Sequence, residues 1–369
     1  MNWRDWAAGE ADRIRAAGRW REPRDFDAAG PEGKLAPDSR PVVSYASNDY
    51  LGLTQHPAVV AAAHAALDRW GSGSGSARLI VGSRPLHSEL EAALADWKRA
   101  ERAVLFPTGF AANLGVLTTF GGPGVLVCSD ELNHASIIDG CRLSRAHVEV
   151  YRHRDLDHLD ALLAGRGEAR AVVVTDTVFS MDGDVADVDA VAELCARRGA
   201  LLVIDEAHAV LGPDPALDGV DAVRVGTLSK TLAALGGFVA GPSRFTELVV
   251  NRARAYVFTT ASTPADSAAA LAALGIVRSA GGDDLRARLR AGVERVRAGH
   301  PSPIVPVVLG DEARTLAAAA ALLEEGMLVP AIRPPTVAPG TSRLRVTLSA
   351  AHTPAQVDAL AAALQTLTG

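Results

Sequence analysis

Lys230 stands in Thr227-Leu-Ser-Lys230, among the small and apolar neighbours Leu228, Ser229, Leu232 and Ala233. A lysine in such surroundings is a candidate for the depressed pKa that Schiff-base chemistry requires. Upstream, Leu201-Leu-Val-Ile-Asp205-Glu-Ala-His208 is an apolar run that ends in a carboxylate, with an imidazole three residues on. Taken alone, it is equally a strand-end Asp capping a turn and a satisfied histidine. Thr108-Gly109-Phe110 follows another apolar run and opens a helix, where free N–H groups and the helix dipole make a small anion site. His134, in Asn133-His-Ala-Ser136, adds a ring able to stack on a planar ligand. A lysine amine, a carboxylate that keeps a ring nitrogen protonated and an anion site for a phosphate are together what pyridoxal phosphate needs.

The elements that must position these residues read as an α/β pattern. Short β-branched runs at 103–106, 124–128, 147–151, 171–175, 201–204, 222–225 and 238–240 alternate with helical stretches, which predicts a mostly parallel sheet. In such sheets ligands bind beyond the carboxyl ends of the strands, where Asp205 and Lys230 lie. Trp3 to Trp20 reads as an amphipathic helix, followed by a Pro- and Gly-rich stretch to Pro41 and a short strand at 42–45. Helices are expected at 57–70, 85–100 and 261–279. Runs at 305–309, 327–332 and 343–348, with a helix ending at Glu325, suggest a smaller α+β unit. The expected division is an N-terminal arm over 1–44, a large domain over 45–272 and a small C-terminal domain over 273–369.

Gly71-Ser-Gly-Ser-Gly-Ser76 invites a dinucleotide reading, but Arg78 occupies the third glycine position and the run follows a helix instead of a strand. It reads as a loop allowing close approach near a ligand. With 37 basic and 43 acidic residues among 369, the formal charge of −6 argues against nucleic acid as the main partner. Cys128, Cys141 and Cys195 form no C-x-x-C pair, no metal-ligand cluster is recognised, and no apolar run suits a membrane span or a leader. The expectation is a cytoplasmic protein with reduced thiols.

Over essentially its whole length the chain resembles the α-oxoamine synthases of the fold-type-I (aspartate aminotransferase-like) pyridoxal phosphate enzymes. The resemblance is carried by Ser47-Asn-Asp-Tyr-Leu-Gly-Leu53, Thr108-Gly-Phe-Ala-Ala-Asn113, Asn133-His-Ala-Ser136, Val178-Phe-Ser-Met-Asp-Gly-Asp184, Asp205-Glu-Ala-His208, Thr227-Leu-Ser-Lys230 and Ile332-Arg-Pro-Pro-Thr-Val337. It implies that Lys230 carries the cofactor and acts as base, that Asp205 pairs with the ring nitrogen and that His134 stacks on the ring. His208 and Ser180 would meet the phenolic oxygen, and Gly109, Phe110 and Thr227 the phosphate. It further implies a homodimer with sites at the subunit interface, Thr259 or Thr260 reaching the partner's phosphate. Arg345, with Asn48, would hold the amino-acid carboxylate, and Arg21, Arg333 and Thr336 would line the acyl site. The implied reaction is decarboxylative condensation of L-alanine with a pimeloyl thioester carried by coenzyme A or an acyl carrier protein. Glycine with acetyl-CoA, or a non-catalytic scaffold on the same fold, are the alternatives. The chain departs from the family after His208, where Ala209 to Asp214 replaces a glycine-rich turn and the segment leading to Lys230 is short.

Overall fold

The computed structural model describes residues 2–368. Its first helix, Trp3–Ala16, is capped by the Asn2 side chain and buries no residue, and it stops short of Trp20. The Pro- and Gly-rich stretch beyond it contains strands that its composition does not suggest: β1 (Phe26–Ala28) and β2 (Glu32–Leu35) form an antiparallel meander with β3 (Arg40–Ser44). Most of their residues are exposed or half-buried, so no apolar alternation announces them.

The central sheet has seven strands: β4 (Arg102–Phe106), β5 (Val125–Asp130), β6 (His147–Tyr151), β7 (Arg170–Asp176), β8 (Ala200–Asp205), β9 (Ala222–Thr227) and β10 (Gly237–Gly241). They lie in the order β4-β10-β9-β8-β7-β5-β6, all parallel except β10, which runs antiparallel to β4 and β9. Val-rich runs suit a sheet covered on both faces. Val104, Val203, Val223 and Val239 pack into one layer and Leu126, Val173, Leu202 and Ile204 into the other. Each fully buried side chain of this kind contributes about 1.5–3 kcal/mol.

The four neighbouring strands β9, β8, β7 and β5 all end in a polar residue, respectively Thr227, Asp205, Asp176 and Asp130. The sheet thereby offers one carboxyl-end rim of oxygen ligands, as the sequence pattern predicts.

Helix Pro264–Val277 packs against helix Pro57–Trp70, and the expected boundary at residue 272 falls inside it. Beyond helix Ala280–Val296, β11 (Ile304–Gly310) pairs with the strand at the chain's far end. The single strand expected at 327–332 is two, because Val329 and Pro330 interrupt it. β12 (Met327–Leu328) joins β3 in parallel, while β13 (Ala331–Ile332) pairs with β14 (Ser342–Thr347) in a second, three-stranded sheet. The segment expected to be a separate arm thus supplies three of the four strands of a sheet completed from the C-terminal part. No described helix is long and apolar enough to cross a membrane.

Candidate active site

Asp205 and Glu206 show how the strand end sorts its side chains, since successive residues leave a strand on opposite faces. Glu206 turns away from the rim to Arg224 at 2.5 Å and Lys98 at 3.1 Å. Asp205 accepts from Asn113 Nδ2 at 2.6 Å on one oxygen and from the Ala207 N–H at 2.8 Å on the other. Asn113 also donates to Ser136 Oγ, 2.9 Å away, and Ser136 lies 2.7 Å from His134 Nδ1. His134 caps helix Ala135–Ser144 and its residue is exposed, which suits a stacking ring better than a core histidine.

Lys230 Nζ lies 2.8 Å from His208 Nε2. Burial lowers the lysine pKa, opposed by the carboxylates of Asp205 and Asp176 and reinforced by Arg345. Burial, followed by the positive charges of Lys230 and Arg345, holds His208 well below its ordinary value. Burial and the neighbouring charge of Asp205 hold Asp176 well above the carboxylate range, and Asp176 accepts the His134 N–H at 2.8 Å. Arg345 is buried; it donates to the Ser180 carbonyl at 2.5 Å, to Thr347 Oγ1 at 2.8 Å and to Asn48 Oδ1 at 3.3 Å. Its neighbour on the strand, Arg343, pairs with Asp182. Ser180 thus enters through its carbonyl, as a ligand of Arg345.

The expected anion site lies where helix Gly109–Phe120 starts against β9. A Cβ on Gly109 would stand 3.1 Å from that of Thr227, and one on Gly237 would run into the Thr108–Gly109 peptide at 2.4–2.5 Å. Only glycine permits that approach. The Gly109 and Phe110 N–H groups precede the intrahelical ladder, and Thr227 Oγ1, 2.8 Å from Ser229 Oγ, stands beside them. An amine, an acceptor-only carboxylate and an N–H and hydroxyl cradle are the donor set pyridoxal phosphate requires, and a buried Asn113 Oδ1 without a partner sits beside Asp205. The residues fit that cofactor. Among the described residues, no group of three His, Cys, Asp or Glu side chains is disposed to hold a metal ion.

Two groups of expected residues stand apart from this cluster. Arg21, Arg333 and Thr336 come together with Arg19 around a separate cavity of about 230 Å³, where Arg333 donates to the Gly18 carbonyl at 2.8 Å. Thr259 and Thr260 directly precede Ala261, whose N–H donates to the Ser76 carbonyl of the glycine-rich loop. The departure after His208 is ordered: Val210 is buried, Arg290 donates to the Leu211 carbonyl at 3.1 Å, and a cavity of about 710 Å³ opens beside it toward Thr227 and Thr231.

Sequence reasoning named neither Asn113, Ser136 and Asp176 nor His153 as site residues. His153 bridges Asp130 and Asp184, at 2.8 Å each. Burial opposes its charge, but hydrogen bonds to both carboxylates raise its pKa to about 9. The bridge ties the turn before His134 to the loop bearing Ser180 and Asp182. Asp176 was detectable as a second carboxylate closing a buried apolar run.

A sheet of this order with a half-buried lysine and a buried aspartate at its carboxyl rim defines a pyridoxal phosphate fold, and the chain belongs to the aminotransferase class I and II family, whose profile matches residues 40–364. The relatives narrow this. An 8-amino-7-oxononanoate synthase of Anaeromyxobacter dehalogenans is 51% identical, covering 98% of this chain and 94% of its own. One from Alkalilimnicola ehrlichii is 46% identical, over 96% of this chain and 95% of its own. Among solved structures, a serine palmitoyltransferase of S. paucimobilis with bound PLP superposes with a TM-score of 0.91 at 30% identity, over 98% of this chain and 96% of its own. An 8-amino-7-oxononanoate synthase of Francisella tularensis gives 0.75 at 25% identity, over 89% and 98% respectively.

Proposed function

We propose that this chain is a cytoplasmic, pyridoxal phosphate-dependent acyltransferase that joins L-alanine to a pimeloyl thioester, releasing carbon dioxide and the thiol carrier, to form 8-amino-7-oxononanoate in biotin synthesis. The observation that carries the reading is that Lys230, Asp205, His208 and Arg345 meet in one site, in a chain half identical to relatives named for that product.

Arg345 and Asn48 take the amino-acid carboxylate by charge-assisted hydrogen bonds. Burial keeps more of the Lys230 amine neutral near pH 7, so that it removes the Cα proton as general base. When bound, pyridoxal phosphate supplies the electron sink for the pair left on Cα. Asp205, itself oriented by Asn113 and the Ala207 N–H, would hold the ring-nitrogen proton, and Gly109, Phe110 and Thr227 would hold the phosphate. His134 would cover the ring and His208 would meet its phenolic oxygen, while the Ser180 carbonyl holds Arg345. Cα attacks the thioester carbonyl and expels the thiol, the β-keto acid loses carbon dioxide, and Lys230 returns its proton to Cα.

The acyl chain's far carboxylate is met by the guanidinium-lined cavity of Arg19, Arg21 and Arg333, with Thr336 on its wall. Relative to acetyl, roughly five extra methylenes buried at ~0.8 kcal/mol each supply on the order of 4 kcal/mol, or nearly a thousandfold. One methyl separates alanine from glycine, worth about 1–3 kcal/mol, so discrimination there is weaker. The test is kcat/KM for the four crossed pairs of alanine or glycine with pimeloyl or acetyl thioester. Pimeloyl thioester with alanine is expected to lead. A lead for glycine with acetyl-CoA replaces the reading with an acetyltransferase, and loss of all turnover with cofactor bound points to a scaffold.

Two copies share the site in this reading. Thr259 and Thr260 follow Phe258, which is 70% exposed, and the apolar Ile80 and Val81 are 74% and 71% exposed. Such a surface suits burial against a second copy. Sedimentation at micromolar concentration should give about twice 38.3 kDa, and an active monomer ends the idea.

A further inference from the structure

Tyr50 is fully buried, and its hydroxyl lies 2.5 Å from His208 Nδ1 and 3.2 Å from Asn48 Oδ1. The same Asn48 oxygen accepts from Arg345, and the opposite nitrogen of His208 faces Lys230 at 2.8 Å. A continuous polar path therefore runs from Lys230 through His208, Tyr50 and Asn48 to Arg345. Arginine only donates, so the oxygen of Asn48, not its nitrogen, must face Arg345, and a carbonyl oxygen only accepts. The single hydroxyl proton of Tyr50 goes to Asn48 Oδ1, so the hydroxyl oxygen accepts from His208 Nδ1–H, which leaves Nε2 as the acceptor facing Lys230.

The segment is also rigid. The Tyr50 carbonyl accepts the Ala350 N–H at 2.8 Å, while Asp49 accepts from the Leu53 N–H at 2.9 Å and the Thr54 hydroxyl at 2.6 Å. Burial pushes the Tyr50 phenol far above its ordinary value, so it remains an intact O–H.

We propose that Tyr50 is a positioning residue: its hydroxyl fixes the His208 ring with Nε2 toward Lys230 and links that ring, through Asn48, to the carboxylate site at Arg345. The base and the substrate-carboxylate clamp are then set by one shared hydroxyl instead of independently. The kinetic consequence rests on the roles proposed above for Lys230 and Arg345; the orientation of His208 does not.

The test is Tyr50→Phe in the cofactor-loaded full chain, which keeps the buried ring and deletes the hydroxyl. The ring ¹⁵N signals of His208 should shift in the absence of any substrate, because Nδ1 loses its partner. Exchange of the alanine Cα proton with deuterated water should slow about tenfold, the worth of one such hydrogen bond, while KM for the thioester stays within about twofold. A merely structural role would lower thermal stability without moving the His208 signals. Unchanged signals overturn the proposal, as does an unchanged exchange rate in an enzyme that does process alanine. Failure to process alanine with shifted His208 signals would strike the proposed function and leave Tyr50 in place. Should Tyr50→Phe not fold, Asn48→Leu tests the same path, since the hydroxyl then loses its Asn48 acceptor. His208 signals that fail to move in that variant overturn the link.

Discussion

At the rim of the large sheet, Asp205, Asn113, His208 and Arg345 are all buried, and each is held by at least two polar partners. Around the cavity proposed for the acyl chain, Arg19, Arg21 and Thr336 are exposed and Arg333 is only half-buried. Asp205 ends β8, His208 follows in the turn beyond it, Asn113 lies near the start of a helix and Arg345 sits within β14, and both strands are paired on both sides. The cavity residues sit on an N-terminal arm and a loop between short strands. Chemistry needs fixed atoms at sub-ångström tolerance, whereas a flexible chain ending in one carboxylate needs only charge and room. The contrast predicts that rim substitutions act on kcat and cavity substitutions on KM.

The largest expected effect is at Lys230. Lys230→Ala should abolish borohydride-fixable attachment of pyridoxal phosphate and lower turnover by at least about 10³-fold, as expected when base and covalent anchor go together. An adduct persisting in that variant would break the assignment. Asp205→Asn removes the charge opposite the ring nitrogen while keeping the shape, and should lower kcat on the order of 10²–10³-fold with cofactor still bound. Near-normal turnover would move the rim's function elsewhere.

His153 tests whether the rim owes its rigidity to a charge. Its pKa, raised to about 9 by Asp130 and Asp184, means that its contribution to stability is complete below the unfolded value near 6.5 and is lost as pH rises through about 9. His153→Gln should therefore cost about 1–2 kcal/mol near pH 6 and little near pH 10, measured by chemical denaturation. An equal cost at both pH values would show a packing role. The smallest effect belongs to the cavity. Arg21→Ala and Arg333→Ala should each raise KM for the thioester about fivefold or less, with kcat unchanged and the effect shrinking in salt. A large drop in kcat there would erase the contrast.

Helix Pro57–Trp70 and strand His147–Tyr151 were legible to the residue, the first because Pro57 opens it and Gly71 closes it with a positive φ of 77°. Lys230 and Asp205 were legible because each follows an apolar strand, and the strand end is where such a sheet works. Asn113 and Tyr50 were quoted within motifs but given no role, since what they touch is decided by how distant segments pack. Asn113 meets Asp205 across 92 residues and Tyr50 meets His208 across 158. The strands at 26–35 escaped because their partners lie in the meander itself and their side chains in solvent.

The parallel pairing of Val43 and Ser44 with Met327 and Leu328 also bears on how the chain is made. A ribosome delivers β3 roughly 280 residues before its partner, which at 5–20 residues per second is a wait of about 15–60 s. Through that interval β3 presents an unpaired edge open to other nascent chains. Arg345 lies in β14, only a short way beyond β12, so the hydrogen bonds that hold it cannot form until nearly the whole polypeptide has emerged. The clamp proposed for the amino acid is therefore assembled last in time, after the lysine and aspartate have been made.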